Sequence, residues 1–186
     1  MPHEIKILHG ELKGKTIQTL KGKKYRPTME MVRMSLFNTL RSFIQDSLFL
    51  ELFAGSGIIG FEALSMGAKK VVFVENYLPA VKLLKINAKR LGLEGRVEVY
   101  NFDVFKFLSK NPLESFDVIF MDPPYELGPK IKDVLELLSI NKWLKSSGII
   151  VVEHHKKIDL PERVDKLNLI NKKIFGETLF SYYKME

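Results

Sequence analysis

Met121-Asp122-Pro123-Pro124-Tyr125 puts a carboxylate, two stiff proline units and an aromatic ring at the end of an apolar run, residues 116–120. The run has the length and character of a buried strand. Proline lacks a backbone N–H and has a fixed φ, so two in a row cannot continue a ladder. The chain must leave the sheet at Asp122 in a rigid extended turn. In an open α/β sheet, ligands bind at the carboxyl ends of strands. Alone, the turn is equally a plain strand-to-helix connection, with Asp-Pro as turn starter and the ring as core cover.

A second stretch, Glu51-Leu52-Phe53-Ala54-Gly55-Ser56-Gly57-Ile58-Ile59-Gly60, contains G-x-G-x-x-G at 55, 57 and 60. Glycines there allow a tight turn and close backbone approach to a ligand. Glu75 stands 20 residues after Gly55, where an acid that binds ribose is expected. A dinucleotide would bring a pyrophosphate, which favours a helix N-terminus without a nearby anion. Glu51 and Asp122 instead flank the turn with negative charge, which suits a cation. S-adenosylmethionine carries a sulfonium and an ammonium and no phosphate, so it is favoured over NAD. Asp103 is placed either to accept from an adenine amino group or to cap a helix, and both readings stand.

These groups need a frame. Residues 29–44 have helical spacing, with Thr28 as N-cap and Met31, Met34 or Ser35, Leu36 or Phe37, and Leu40 as the apolar stripe. Strands are expected at 48–53, 70–75, 96–100, 116–121 and 148–153, with helices at 58–66, 79–91, 103–110 and from Pro129 to Leu138. An added helical turn is expected at 141–145, and 154–162 resist assignment. Segments 165–174 and 178–184 form a hairpin around Gly176-Glu177. Repeated βαβ units give an α/β fold with a mostly parallel seven-stranded sheet and a terminal antiparallel hairpin. Residues 4–9 and 15–20 make a small separate hairpin, so 1–27 is an appendage on a body of 28–186.

The chain has 186 residues, enough for one domain with a proper core. The absence of cysteine excludes disulfides and thiolate chemistry. His154-His155 have no ligand cluster around them and are read as structural, so no metal is expected. The start Met1-Pro2-His3-Glu4 has no apolar signal-like run, and no apolar run spans a bilayer, so a cytoplasmic protein without a membrane partner is expected. The net charge is +7, and residues 1–27 hold seven cations (Lys6, Lys13, Lys15, Lys21, Lys23, Lys24, Arg26) against two anions (Glu4, Glu11). A basic end on a nearly balanced body suits a polyanion such as nucleic acid.

Arg26-Pro27-Thr28, then Val32-Arg33 and Leu36-Phe37-Asn38, the Glu51–Gly57 stretch, and Asp122-Pro123-Pro124-Tyr125 together resemble one family. It is the RsmD type of small bacterial methyltransferases, which modify one guanine N2 of 16S ribosomal RNA. Gly176, Thr178 and Tyr182 resemble that family's tail, so the likeness spans nearly the whole chain. Asp-Pro-Pro-Tyr alone marks amino-group methyltransferases broadly, and the Arg-Pro-Thr element narrows the family. Glu51 stands where the family often has Asp, and the acid is retained.

The resemblance implies a Rossmann-like class I methyltransferase fold with S-adenosylmethionine as cofactor. The partner it implies is 16S rRNA or the assembling 30S subunit. It places Glu51, Phe53, Ala54, Gly55, Ser56, Gly57, Glu75, Asp103 and Asp122 at the cofactor, with Thr28 as N-cap, cofactor contact or both. Lys21, Lys23, Lys24, Arg26 and Arg33 are the expected RNA contacts. The alternative for Arg33 is to balance the acids, and that for Asn38 is to support the cleft rather than touch a ligand. Asp122 and the Pro123 carbonyl would accept the two N–H bonds of the target amine as it gains positive charge. Tyr125 would stack on the base. The competing functions are a DNA adenine-N6 or cytosine-N4 methyltransferase, an NAD-binding oxidoreductase and a silent RNA-binding module. The chain is expected to act as a monomer, although nothing in the sequence determines the oligomeric state.

Overall fold

The structure is a computed structural model that describes residues 3–20 and 27–186, with the backbone alone at 27 and 28. Lys21, Lys23, Lys24 and Arg26, and the side chain of Thr28, lie outside the described residues.

The central sheet is built from β3 (Leu48–Leu52), β4 (Lys70–Glu75), β5 (Val97–Asn101), β6 (Phe116–Met121), β7 (Leu144–His155), β8 (Arg163–Val164), β9 (Leu167–Phe175) and β10 (Thr178–Met185). Their order is β5-β4-β3-β6-β7-β10-β9-β8. The first five are parallel; β10 joins β7 antiparallel, followed by β9 and β8. The sheet therefore has the expected form with one addition, the two-residue β8. From β3 the chain builds outward to β4 and β5, then returns to place β6 on the other side of β3. That reversal is the topological switch point, where such sheets open a crevice.

Side-chain alternation divides the core between two faces. Phe49, Val71, Phe73, Val118, Phe120 and Val151 point to the face covered by α1 (Pro27–Ile44), α2 (Ile58–Ser65) and α3 (Leu78–Leu91). Leu50, Leu52, Val74, Ile119, Met121 and Val152 point to the face covered by α4 (Val104–Leu108) and α5 (Ile131–Ile140).

Several boundaries differ from expectation for local reasons. Helix α1 begins at Pro27, a favoured first helical position, so Thr28 lies inside the first turn rather than capping it. The buried stripe of α1 is Arg33, Leu36, Phe37, Leu40 and Ile44, while Met31 is 71% exposed and Met34 also faces out. Residues Tyr125–Lys130 form a 3-10 turn containing Pro129, and α5 starts only at Ile131. Residues 144 and 145 belong to β7, not to a helical turn. A register shift opposite Phe116 and Val118 absorbs the extra residues before Ile149.

The N-terminal hairpin, β1 (His3–Lys6) and β2 (Thr16–Thr19), is a separate two-stranded sheet, as expected. It is also bonded into the body. Ile5, Ile7, Leu12 and Ile17 share the core of the α1–α3 face. Asn87 on α3 closes a reciprocal pair with the Gln18 backbone, both bonds 2.9 Å. Glu62 on α2 accepts from Leu8 N at 2.9 Å, His9 N at 3.2 Å and His9 Nδ1 at 2.9 Å.

Candidate active site

Strand register sets the site. Leu52, the last residue of β3, pairs with Val74 on one side and Met121 on the other. The glycine-rich turn after β3 is thus flanked by Glu75 at the end of β4 and Asp122 just past β6.

The turn after β3 is tight. Phe53, Gly55 and Gly57 all have positive φ, near 56°, 53° and 73°. Ala54 N donates to Val74 O and Gly57 N to Ala54 O, which bends the chain straight into α2. Gly57 and Gly60 are there for close packing. A Cβ at Gly57 would lie 2.3 Å from Leu84 Cδ2, and one at Gly60 would lie 2.5 Å from Phe73 Cε1. The left-handed φ of Phe53 carried no signal in the sequence, because ordinary residues rarely adopt it.

Two acids brace this turn from below. Glu51 aligns with Phe73 and Phe120, so it projects into the otherwise apolar α1–α3 face and is only 3% exposed. Its Oε2 accepts Gly60 N at 2.6 Å, at the opening of α2. Burial holds its carboxyl well above the ordinary range despite that bond, and the charges of Asp122 and Glu75 push the same way. Glu75 uses one oxygen for Gly55 N and the other for Tyr77 N, each at 2.8 Å. A carboxylate has about four lone-pair sites, so each oxygen can accept a further hydroxyl.

Around Glu75 lies a polar and aromatic rim that sequence reasoning missed. Asn101 Nδ2 donates to Glu75 O at 3.0 Å and Asn76 O at 3.1 Å. Tyr77 and Phe102 stand exposed beside it, and Lys110 Nζ sits 4.8 Å from the Phe102 ring centroid. Their exposed position at strand ends follows only from the sheet order. Asp103 caps α4, accepting Lys106 N at 3.0 Å. The capping alternative is therefore realised, on one of its two oxygens.

At the Asp-Pro-Pro-Tyr turn, Pro124 O accepts Leu127 N at 2.9 Å, so it closes the 3-10 turn. The Pro123 carbonyl precedes that turn, while Asp122 is exposed and the Tyr125 ring is 65% exposed.

Arg33 is a correction. It is 7% exposed, with Nη2 donating to Lys6 O at 3.0 Å and Nη1 3.6 Å from Glu62 Oε1. A phosphate contact needs an exposed guanidinium, whereas this one ties α1 to α2 and to the hairpin. The signal was present in the sequence, since Arg33 precedes Leu36, Phe37 and Leu40 at the spacing of the buried stripe. Asn38 is exposed on the same helix.

This arrangement can be compared with known proteins. A sequence-family model described as Conserved hypothetical protein 95 matches residues 5–184. Ribosomal RNA small subunit methyltransferase D of Haemophilus influenzae is 39% identical over 156 residues, covering 82% of this chain and 80% of that protein. The protein of that name from Escherichia coli strain K12 is 31% identical over 183 residues, covering 98% of this chain and 91% of that protein. The chain belongs to this family. A solved Escherichia coli structure described as a candidate methyltransferase, yhhF, superposes with a TM-score of 0.89 at 29% identity, covering 99% of both chains. The expected methyltransferase fold and the family resemblance are thereby borne out, and the chain is a methyltransferase of that fold.

The acids fit a cationic methyl donor. Glu51, Glu75 and Asp122 lie close enough that the latter two raise the carboxyl of the first. A pyrophosphate would add to that repulsion, while a sulfonium and an ammonium relieve it. Among the described residues, no group of acids and histidines could hold a metal ion, and no helix is long and apolar enough to cross a membrane.

Proposed function

We propose that this protein transfers a methyl group to the exocyclic N2 amine of a guanine in small-subunit rRNA, with S-adenosylmethionine as donor. The carrying observation is the register of Leu52 against Met121, which sets the glycine-rich turn and the Asp-Pro-Pro-Tyr turn side by side across the switch point. The names of the Haemophilus and Escherichia relatives support the rRNA class. The choice of guanine N2 rests on the family resemblance. S-adenosylmethionine supplies an electrophilic methyl on a sulfonium.

The chain's residues supply the rest. The two oxygens of Glu75 receive the ribose hydroxyls, and the turn from Phe53 to Gly57 receives the methionine part. Asp103 turns its second oxygen to the adenine. An amine on a purine is a weak nucleophile because its lone pair is delocalised into the ring. Asp122 and the Pro123 carbonyl accept its two N–H bonds and stabilise the positive charge that develops on nitrogen, a form of electrostatic preorganisation. The prolines keep both acceptors in place, so little order is lost on alignment. The ring of Tyr125 stacks on the base, worth roughly 1–3 kcal/mol, which offsets much of the unstacking. Residues 28–186 form the catalytic body, and the positive charges of Lys21, Lys23, Lys24 and Arg26 attract the RNA backbone.

The test is transfer of labelled methyl from S-adenosylmethionine to small-subunit particles lacking the mark, to naked rRNA and to DNA. The expected result is label on one guanine N2 of the rRNA, in the particle or the naked strand. Label on DNA alone, or on an adenine or cytosine, refutes the assignment.

A further inference from the structure

The end of β7 lies beside the acceptor turn. Val152 pairs with Met121, so Glu153, His154 and His155 continue past the level at which β6 stops. There the His155 ring meets Tyr125 edge-on, with centroids 5.8 Å apart and planes at 89°. Tyr125 is largely exposed, so burial alone does not fix its ring.

His155, by contrast, is bonded at one ring nitrogen and faces a carboxylate with the other. Its Nδ1 accepts the backbone N–H of Lys157 at 3.1 Å, so the ring proton sits on Nε2. Nε2 faces Glu177 Oε2 at 3.2 Å. Glu177 is anchored in turn, with Lys156 Nζ 2.6 Å from its other oxygen and Lys156 N donating to its carbonyl at 2.9 Å. The neighbouring histidine stabilises the same segment with the opposite tautomer. His154 Nδ1 donates to His155 O at 3.1 Å, and its Nε2 accepts from Ser181 Oγ at 2.8 Å. Rotating the His155 ring would break the bond from Lys157 N and carry Nε2 away from Glu177.

We propose that His155 is a positioning residue for the methyl-acceptor subsite: clamped between Glu177 and the Lys157 backbone, it holds the Tyr125 ring in the orientation that receives a planar purine. This rests on the reading of Tyr125 as the base platform. The β9–β10 turn, far from Tyr125 in sequence, thereby becomes part of substrate recognition through Glu177.

Two measurements on the full chain test it. Spectra of the free protein with 13C-labelled tyrosine, assigned with Tyr125→Phe, should show the Tyr125 ring signals displaced in His155→Ala and less so in Glu177→Ala. Unmoved signals in His155→Ala overturn the proposal whatever the reaction. Methyl transfer to unmarked small-subunit particles then supplies a double-mutant cycle. His155→Ala should raise KM for the particle roughly three- to tenfold, the range of an aromatic edge contact, with kcat changed less. On a Tyr125→Ala background the same change should add nothing. Multiplying effects would mean that His155 acts on the RNA directly, which overturns the proposal. A wild-type KM in Tyr125→Ala would overturn the base-platform reading itself and the clamp's purpose with it. That outcome is distinct from the other two because the spectra score the contact separately.

Discussion

Glu62 is the most informative residue to perturb. It is 0% exposed, lies on the helix that starts from the glycine-rich turn, and accepts three hydrogen bonds from Leu8 and His9 while facing Arg33. In Glu62→Ala the buried guanidinium loses this counter-charge and the hairpin donors lose their acceptor. Breaking a buried ion pair from one side typically costs about 3–5 kcal/mol. Against a total stability of about 5–15 kcal/mol for a domain, that is a large fraction. With a urea slope of about 2–3 kcal/mol/M, the midpoint should fall by roughly 1–2.5 M. The assay is equilibrium urea unfolding, followed by far-ultraviolet circular dichroism and by fluorescence of Trp143, the single tryptophan. Trp143 is buried on the opposite face of the sheet, against Phe107 and Phe116. Coincident shifts in both signals mean that the hairpin clasp belongs to the global cooperative unit. Replacing both partners, Arg33→Met with Glu62→Leu, should recover part of the loss, since an apolar pair leaves no unpaired charge. A midpoint shift below about 0.5 M in Glu62→Ala would falsify the argument that this network fastens the hairpin to α2.

Asp122→Ala should lower kcat by about 10²–10³-fold while leaving donor affinity largely intact, since the carboxylate acts on the acceptor amine. Single-turnover transfer beside calorimetric binding separates the two, and near-normal turnover rules the role out. Glu51 is held above the ordinary carboxylate range by burial, with Asp122 and Glu75 adding to the effect. The native state therefore binds that proton more tightly than the unfolded state, and ionising Glu51 removes stability as pH rises beyond the ordinary range. Glu51→Gln should melt higher than wild type by a margin that grows as pH rises above the ordinary carboxylate range, yet bind the cationic donor more weakly. A margin that shrinks with pH contradicts the sign. Gly57→Ala forces a methyl group 2.3 Å from Leu84 Cδ2 and should lower stability by about 1–3 kcal/mol in thermal melting. Neutral replacements of Lys21, Lys23 and Lys24 should weaken RNA binding and flatten its dependence on salt, and an unchanged slope means that these lysines are merely solvated.

Much of the fold was readable because βαβ units announce themselves locally. β3, β4 and β6 are short apolar runs, and α3 begins near Pro79 and ends at Gly92, so all four fall within a residue or so of expectation. The failures came where two local signals competed. Pro129 reads as a helix start, but the turn after Pro124 is already wound as 3-10, which postpones α5. The methionines of α1 look like core by hydropathy, yet the stripe that meets the sheet runs through Arg33, whose charge hides its membership. β8 is too short to carry any periodicity and exists only because β9 is there to pair with it.

The same division holds for the site. The residue types and spacings of Glu51, Gly55, Gly57, Glu75 and Asp122 pointed by themselves to a cationic nucleotide-like ligand, because charge and turn stereochemistry are properties of the chain, whereas the amine acceptor followed from the family resemblance of Asp122-Pro123-Pro124-Tyr125. Strand order was not, because it depends on which runs pair across more than 60 residues of sequence. The tertiary structure fixed Met121 against Leu52, in keeping with the expected place of Asp122, and showed that the inward-facing Arg33 meets Glu62. It also set His155 at the end of β7 against Tyr125 in the turn after β6, a contact that no local pattern encodes.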